Sequence, residues 1–233
     1  MKDATLEITA YDWVPPVAAG QVRDLRLRWA LEEAGFPYRV RLIPQGTQGE
    51  DANLARQPFG QVPVLTVDGR PMFETGACLW RIAEASPALL PDGAEDRDSC
   101  LSWLFGALNS VEPPISMVAN LWFFETFPEA FDLKEGAPAA VVRPGALKLA
   151  RQRLDQVADV LDGRDHLVAG RFTVADLIMT AVLLIADRMD VMEKDHRLRP
   201  YYDRHAARPA FRKAQDDQTA TIRDNAGKYE AAQ

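Results

Sequence analysis

The spacing of apolar and polar positions changes near residue 85. Before it, strand-like alternation and helix-like segments take turns; after it, nearly all apolar positions recur at helical spacing. LEITAYDW at 6–13 reads as the first strand. VPPVAAG forms a loop ending in glycine, and a helix follows over about 22–34. Leu25, Leu27, Trp29, Ala30 and Leu31 give that helix an apolar side, Gly35 stops it, and Pro37 lies beyond. YRVRLI at 38–43 is a second strand, and a polar stretch with weak helical character leads to Gln57. VPVLTV at 62–67 is a third strand, Asp68-Gly69 a tight hairpin turn, and PMFE at 71–74 a fourth strand. TGACLWRIAEA at 75–85 is a helix with Thr75 at its cap. The order β-α-β-(α)-β-β-α implies a parallel crossover followed by an antiparallel hairpin.

The remainder reads as helical. Leu101, Leu104, Phe105 and Leu108 share one face, and Pro113-Pro114 should break or kink the helix that follows. Leu147, Leu154, Val157 and Leu161 mark another amphipathic helix. Thr173 and Asp176 form a Thr-x-x-Asp capping pattern. The helix they open is apolar nearly all round and belongs at the centre of a helical domain. No repeat or low-complexity run appears. The expected division is an α/β domain over 1–85 and an all-helical domain over 92–233.

Composition narrows the function classes. A net charge of −7 and a pI near 5.1 give no support to a nucleic-acid surface and argue against anionic membranes. Arg23, Arg26 and Arg28 form a local basic cluster that leaves anionic ligands open. Two cysteines, Cys78 and Cys100, do not make a disulfide framework; a reducing compartment follows, and their apolar neighbours point to buried thiols. His166, His196 and His205 do not cluster with acids in a zinc pattern, and His166 reads as a packing or loop residue. The first twenty residues lack signal-peptide character, and the longest apolar stretch, 177–186, is too short for a bilayer. A soluble, cytoplasmic protein is expected.

Pro63 interrupts the third strand. Proline removes a backbone donor and is kept out of central strands, so this point wants an unpaired strand end, a cis peptide, or both. Eleven residues later Glu74-Thr75 open a helix. RLRWALEEAGFPY, QPFGQVP, FETGA, VAGRFTVADL and HAARPAFRKA follow one another in order over most of the chain. In these pieces the chain resembles the glutathione transferase superfamily. The resemblance implies a thioredoxin-like α/β N-terminal domain, an all-α C-terminal bundle and a cis Val62–Pro63 bond. It implies that the Val62 main chain meets the cysteinyl part of glutathione and that Glu74 and Thr75 bind its γ-glutamyl end. Gln61 would reach the glycyl end by its amide; a surface turn residue is the alternative. For Glu74 the alternative is a solvated or helix-capping acid. Free N–H groups at a helix start favour a carboxylate, and a glutamate can take an ammonium through charge-assisted bonds.

The family's chemistry is thiolate addition. A free thiol has a pKa near 8.5. Lowering it by about two units takes roughly 2.7 kcal/mol of preferential thiolate stabilisation. Many members place Ser, Cys or Tyr just after the first strand, but no Ser, Thr, Cys or Tyr lies between Asp12 and Asp24 here. Three substitutes are open: backbone N–H groups near Val22 and Arg23 with the helix dipole, the Arg23 guanidinium, or the Tyr11 hydroxyl. The electrophile is expected between the domains, near Trp13, Trp103, Asn109 and Trp122, though core or dimer contact is the plainer reading of those residues. A haloaromatic, an epoxide, an unsaturated carbonyl or an organic peroxide would all suit. The resemblance also implies a homodimer, with glutathione as co-substrate and no metal or nucleotide cofactor. Two rivals stand beside the transferase: a non-catalytic binding or interaction module on the same fold, and a glutathione-dependent peroxidase.

Overall fold

β1 (Leu6–Tyr11) is the second strand of a four-stranded sheet, and it is apolar enough to be buried on both faces: Leu6, Ile8, Thr9 and Ala10 are all covered. In this computed structural model, which describes residues 1–133 and 139–229, the sheet order is β2-β1-β3-β4. β2 (Arg39–Ile43) runs parallel to β1, with Ile8 opposite Val40. β3 (Leu65–Val67) runs antiparallel to it, with Ile8 opposite Leu65, and β4 (Arg70–Met72) closes the hairpin. The parallel pair requires a crossover, which α1 (Asp24–Ala34) supplies. Gly35 ends α1 in the left-handed conformation at φ 65°, and the Gly35 and Phe36 N–H groups bond back to the Glu32 and Leu31 carbonyls. Asp68 (φ 49°) and Gly69 (φ 81°) both take positive φ, the two-residue turn whose twist matches a hairpin.

The strands are shorter than the alternation suggests. β1 stops at Tyr11, although the Asp12 N–H still bonds the Ile43 carbonyl of β2 at 3.0 Å. Val62 and Pro63 lie outside the ladder, and their shared peptide is cis. Val64 still accepts a hydrogen bond from Thr9 N–H at 2.9 Å. A short α2 (Asp51–Leu54) fills the polar stretch. α3 (Thr75–Glu84) departs from expectation at its start. Thr75 is its first helical residue and not its cap; Glu74 holds the cap position and makes no side-chain capping bond.

α4 (Ala94–Gly106) passes through a π turn, Ala107–Val111, into α5 (Glu112–Thr126). The expected break at Pro113-Pro114 is therefore a widened turn followed by a new helix start, where prolines withhold only N–H groups that have no partner in a first turn. Phe105 does not share the buried face of Leu104; it is 55% exposed. α6 (Ala139–Val160), α7 (Val174–Arg188), α8 (Arg199–Ala206) and α9 (Pro209–Asn225) follow. The capping box at α7 is formed: Thr173 Oγ1 accepts from Ala175 N–H at 3.3 Å, and Asp176 Oδ2 accepts from Thr173 N–H at 3.0 Å. α7 is buried along almost its whole length, as an all-round apolar helix must be.

The chain forms two compact units, residues 1–97 with those from 206 onward, and residues 98–205. In the first, α9 packs on α1: Phe211 meets Trp29 edge-on at 4.8 Å, and Arg208 holds Glu33 at 2.6 and 2.8 Å. In the second, α5, α6 and the π turn gather with α7. No described helix is long and apolar enough to cross a membrane.

Candidate functional site

The sheet register gathers the candidate residues of the first unit at one end. β1 ends at Tyr11, and α1 begins shortly after it. β3 is antiparallel to β1, so the approach to β3, Val62–Pro63, lies at the end where β1 finishes. β4 runs back along β3 from Val67↔Arg70 to Leu65↔Met72, which delivers Glu74 and Thr75 to that same end. Tyr11, Val22, Arg23, Gln61, Val62, Pro63, Glu74 and Thr75 therefore share the carboxyl end of β1, where ligands of open α/β sheets collect.

Two features of this end point to a ligand. Val62 is buried at 8% exposure, yet its main-chain N–H and C=O have no hydrogen-bond partner among the described residues. Buried main-chain groups are paired in the great majority of cases. Across from it, Glu74 holds φ 66°, an arrangement that costs a non-glycine residue about 1–3 kcal/mol and persists where the site demands it. Glu74 is exposed, and Thr75 is buried beneath it. The first α3 amide to reach a helix carbonyl is Cys78 N–H, bonded to Glu74 O at 2.9 Å. The amides of Thr75, Gly76 and Ala77 precede it and, with no side-chain cap, remain open to an anion. Gln61 is exposed beside Val62.

At the start of α1, Arg23 occupies the cap position in helical conformation with no side-chain capping bond, and it is exposed. The Val22 carbonyl accepts from Leu25 N–H at 2.9 Å and from Gln218 Nε2 at 3.1 Å. Tyr11 is half-buried, and burial raises its hydroxyl pKa, so the group stays protonated and able to donate at neutral pH. The basic cluster read from the sequence is not a surface. Arg26 and Arg28 are 3% and 2% exposed, and Arg28 Nε binds the buried Asp24 at 2.7 Å. Burial pushes the Asp24 pKa up, while Arg28 and Gln218 pull it down.

Sequence reasoning missed the partners of this loop. Tyr229 donates to the buried Asp12 at 2.7 Å and stacks on Trp13 with centroids 4.6 Å apart. One face of the Trp13 indole is thus taken. Nothing local in the sequence signals contacts that span more than two hundred residues.

The other aromatic candidates belong to the second unit. Trp103 is half-buried on α4, Asn109 is exposed in the π turn, and Trp122 on α5 meets Phe123 and Phe127 edge-on at 5.0 and 5.9 Å. The same unit corrects the reading of the histidines. His166 and His205 do gather with Asp176, their ligand atoms within 4.8 Å of one another. Asp176, however, already accepts four hydrogen bonds: Leu167 N–H and Tyr201 O–H on Oδ1, Thr173 N–H and Thr173 Oγ1–H on Oδ2. Its lone pairs are used, and the cluster serves the helix cap. Cys78 and Cys100 are buried and form no disulfide, and burial pushes the Cys78 thiol up to about 12.

Comparison with known proteins agrees with this geometry. Residues 25–85 match the family model "Glutathione S-transferase, N-terminal domain". Glutathione S-transferase F10 of Arabidopsis thaliana is 30% identical over 144 residues, covering 58% of this chain and 62% of that protein. Glutathione S-transferase 4 of Zea mays is 32% identical over 128 residues, covering 52% and 54%. The chain thus matches between half and two thirds of these relatives' own length. Among solved structures, yeast Ure2p in complex with glutathione superposes with a TM-score of 0.76 at 19% identity over 90% of this chain and 97% of that one. The thioredoxin-like sheet unit and helical region are the fold of these proteins, and over the stretches matched the chain is similar to glutathione S-transferases.

Proposed function

We propose that the carboxyl end of β1 binds glutathione and that the protein conjugates the glutathione thiolate to a small hydrophobic electrophile. One observation carries the reading: a buried, unbonded Val62 main chain stands at the same sheet end as an uncapped α3 start with Glu74 at positive φ. An extended cysteinyl residue would complete the Val62 N–H and C=O. The γ-glutamyl carboxylate suits the open α3 amides and the Thr75 hydroxyl, and its ammonium suits Glu74. Gln61 is placed for the glycyl end. That relatives are named glutathione S-transferases, and that Ure2p carries glutathione, supports the same ligand.

In the reaction, the glutathione S–H gives its proton to solvent and the thiolate forms a bond to the electrophilic carbon; the displaced pair leaves with a leaving group or is protonated on the adduct. The α1 amides near Val22, the Arg23 charge and the Tyr11 hydroxyl are the groups assigned to hold the thiolate. Trp13, at the same sheet end, is assigned to the electrophile. A cytoplasmic homodimer acting in detoxification fits the family, and no metal or nucleotide cofactor is called for.

One observation favours a second reading, a glutathione-binding module without catalysis: no hydroxyl or thiol side chain lies between Asp12 and Asp24. A peroxidase is less suited, because both cysteines are buried. Calorimetry at millimolar glutathione, with a panel of electrophiles and a peroxide, separates the three. Heat of binding with turnover of at least one electrophile is expected. Binding without turnover selects the module, and the absence of any binding removes the glutathione site altogether.

A further inference from the structure

The first unit holds a second concavity, apart from the carboxyl end of β1. A cavity of about 710 Å³ opens between α1, the turn that follows it, the start of β2 and α9. Clefts that take small molecules run to roughly 300–1,000 Å³. Leu31, Phe36, Pro37, Val40 and Ala220 give it an apolar wall.

Arg28 lines the same cavity and is 2% exposed. Its Nε is spent on Asp24 at 2.7 Å, but its Nη2 is buried with no acceptor among the described residues. A buried guanidinium N–H without an acceptor costs stability, so this nitrogen asks for a partner. Its charge reaches the cavity's side of the helix. Burial and the Glu32 charge push the Tyr38 hydroxyl up to about 12, while Arg28 pulls it down, and Tyr38 is itself on the lining.

Acceptors face that donor. Glu32 Oε1 takes the Tyr38 hydroxyl at 3.1 Å and Lys213 Nζ at 3.0 Å. Lys213 also bonds Asp217 Oδ2 at 2.5 Å, so one cation serves two carboxylates. Glu32 Oε2 and Asp217 Oδ1 accept nothing from the described residues, and Asp224 lies on the lining with them, paired to Arg223. A simple anion would meet this excess of acid, and a simple cation would leave Arg28 Nη2 unfilled.

We propose that this cavity is a second ligand site and that it takes a small zwitterion with an apolar body, an α-amino acid with an aromatic or branched side chain. The ligand's carboxylate accepts from Arg28 Nη2, its ammonium donates to Glu32 and Asp217, and its side chain lies against Phe36, Pro37 and Val40. The site goes beyond the glutathione reading and does not depend on it.

Calorimetry on the full chain tests this with L-phenylalanine, N-acetyl-L-phenylalanine and L-phenylalaninamide. L-Phenylalanine should bind, and each derivative, lacking the ammonium or the carboxylate, should bind at least about tenfold more weakly. Ala220→Trp, at a half-buried position on the wall, should fill the cavity and abolish binding. Arg28→Lys keeps a cation for Asp24 but loses Nη2, and it should weaken L-phenylalanine about as much as the amide does; if that variant does not fold, L-phenylalaninamide carries this arm. Saturating S-methylglutathione should change the L-phenylalanine affinity less than about twofold, as for uncoupled sites. Absence of heat at millimolar L-phenylalanine overturns the site. So does equal binding of all three compounds, or binding that survives Ala220→Trp. Displacement of L-phenylalanine by S-methylglutathione would place it at the carboxyl end of β1 and overturn the second site as well.

Discussion

At residue 74 the backbone holds φ 66°, a conformation that only glycine adopts freely. Glu74→Gly should therefore raise stability by up to about 1 kcal/mol in denaturant unfolding while it removes the ammonium's partner. Glu74→Gln keeps the strain but loses the charge, and glutathione affinity by calorimetry should drop about tenfold or more, in line with about 1.5–3 kcal/mol for a charged hydrogen bond. Stability rising while affinity falls is the signature of a residue kept for a ligand. Cys78 gives the opposite case. A thiol pushed up to about 12 is above any assay pH, hence protonated and a poor nucleophile. At pH 8 an alkylating reagent should leave Cys78 unlabelled in the folded protein and label it in urea, as mass spectrometry of the peptides would show. Pro63 and the Glu74-Thr75 pair were legible because proline and a helix start leave marks in the sequence. The misplacement of the α3 cap on Thr75 was not avoidable locally, since nothing in a glutamate announces positive φ. Gln218 was illegible because its partner Asp24 lies 194 residues away.

Helices α1, α3 and α7 were readable because period 3.6, a terminal glycine and a capping box are short-range properties. Strand ends were less so. A ladder stops where donors or partners run out, and at β3 that point is set by Pro63, whose cis peptide with Val62 lies outside the ladder. The π turn before Pro113 was hidden for a similar reason: prolines announce a disturbance without saying which widened geometry absorbs it. The α7 start joins both kinds of information. Thr173 and Asp176 lie three residues apart, but Asp176 also receives Leu167 N–H and Tyr201 O–H. Thr173→Ala should cost about 1–2 kcal/mol, the usual range for a lost cap. Asp176→Asn should cost more, because its amide end would face donors that need acceptors. Denaturant midpoints with unchanged m-values would check both, and equal costs would mean that the Leu167 and Tyr201 bonds contribute nothing.

The change of rhythm near residue 85 says where helices take over, and it is silent about which helix packs where. α9 illustrates the gap: its periodicity specifies an apolar face, while α1, its partner, lies at the other end of the chain. The first unit is consequently built from both chain ends. Phe211 is 3% exposed against Trp29, itself fully buried, and a Phe→Ala change at such a position costs about 3–5 kcal/mol. Removing residues from 206 onward deletes that contact together with the Arg208–Glu33 and Lys213–Glu32 pairs and the Gln218 bonds. The loss should not spread evenly. In hydrogen exchange on the truncated chain, amides of α1 (Asp24–Ala34) should lose protection, and those of α7 (Val174–Arg188), which rest on the other unit's own core, should retain it. Protection that persists in α1 would mean that sheet and helix hold the first unit without α9.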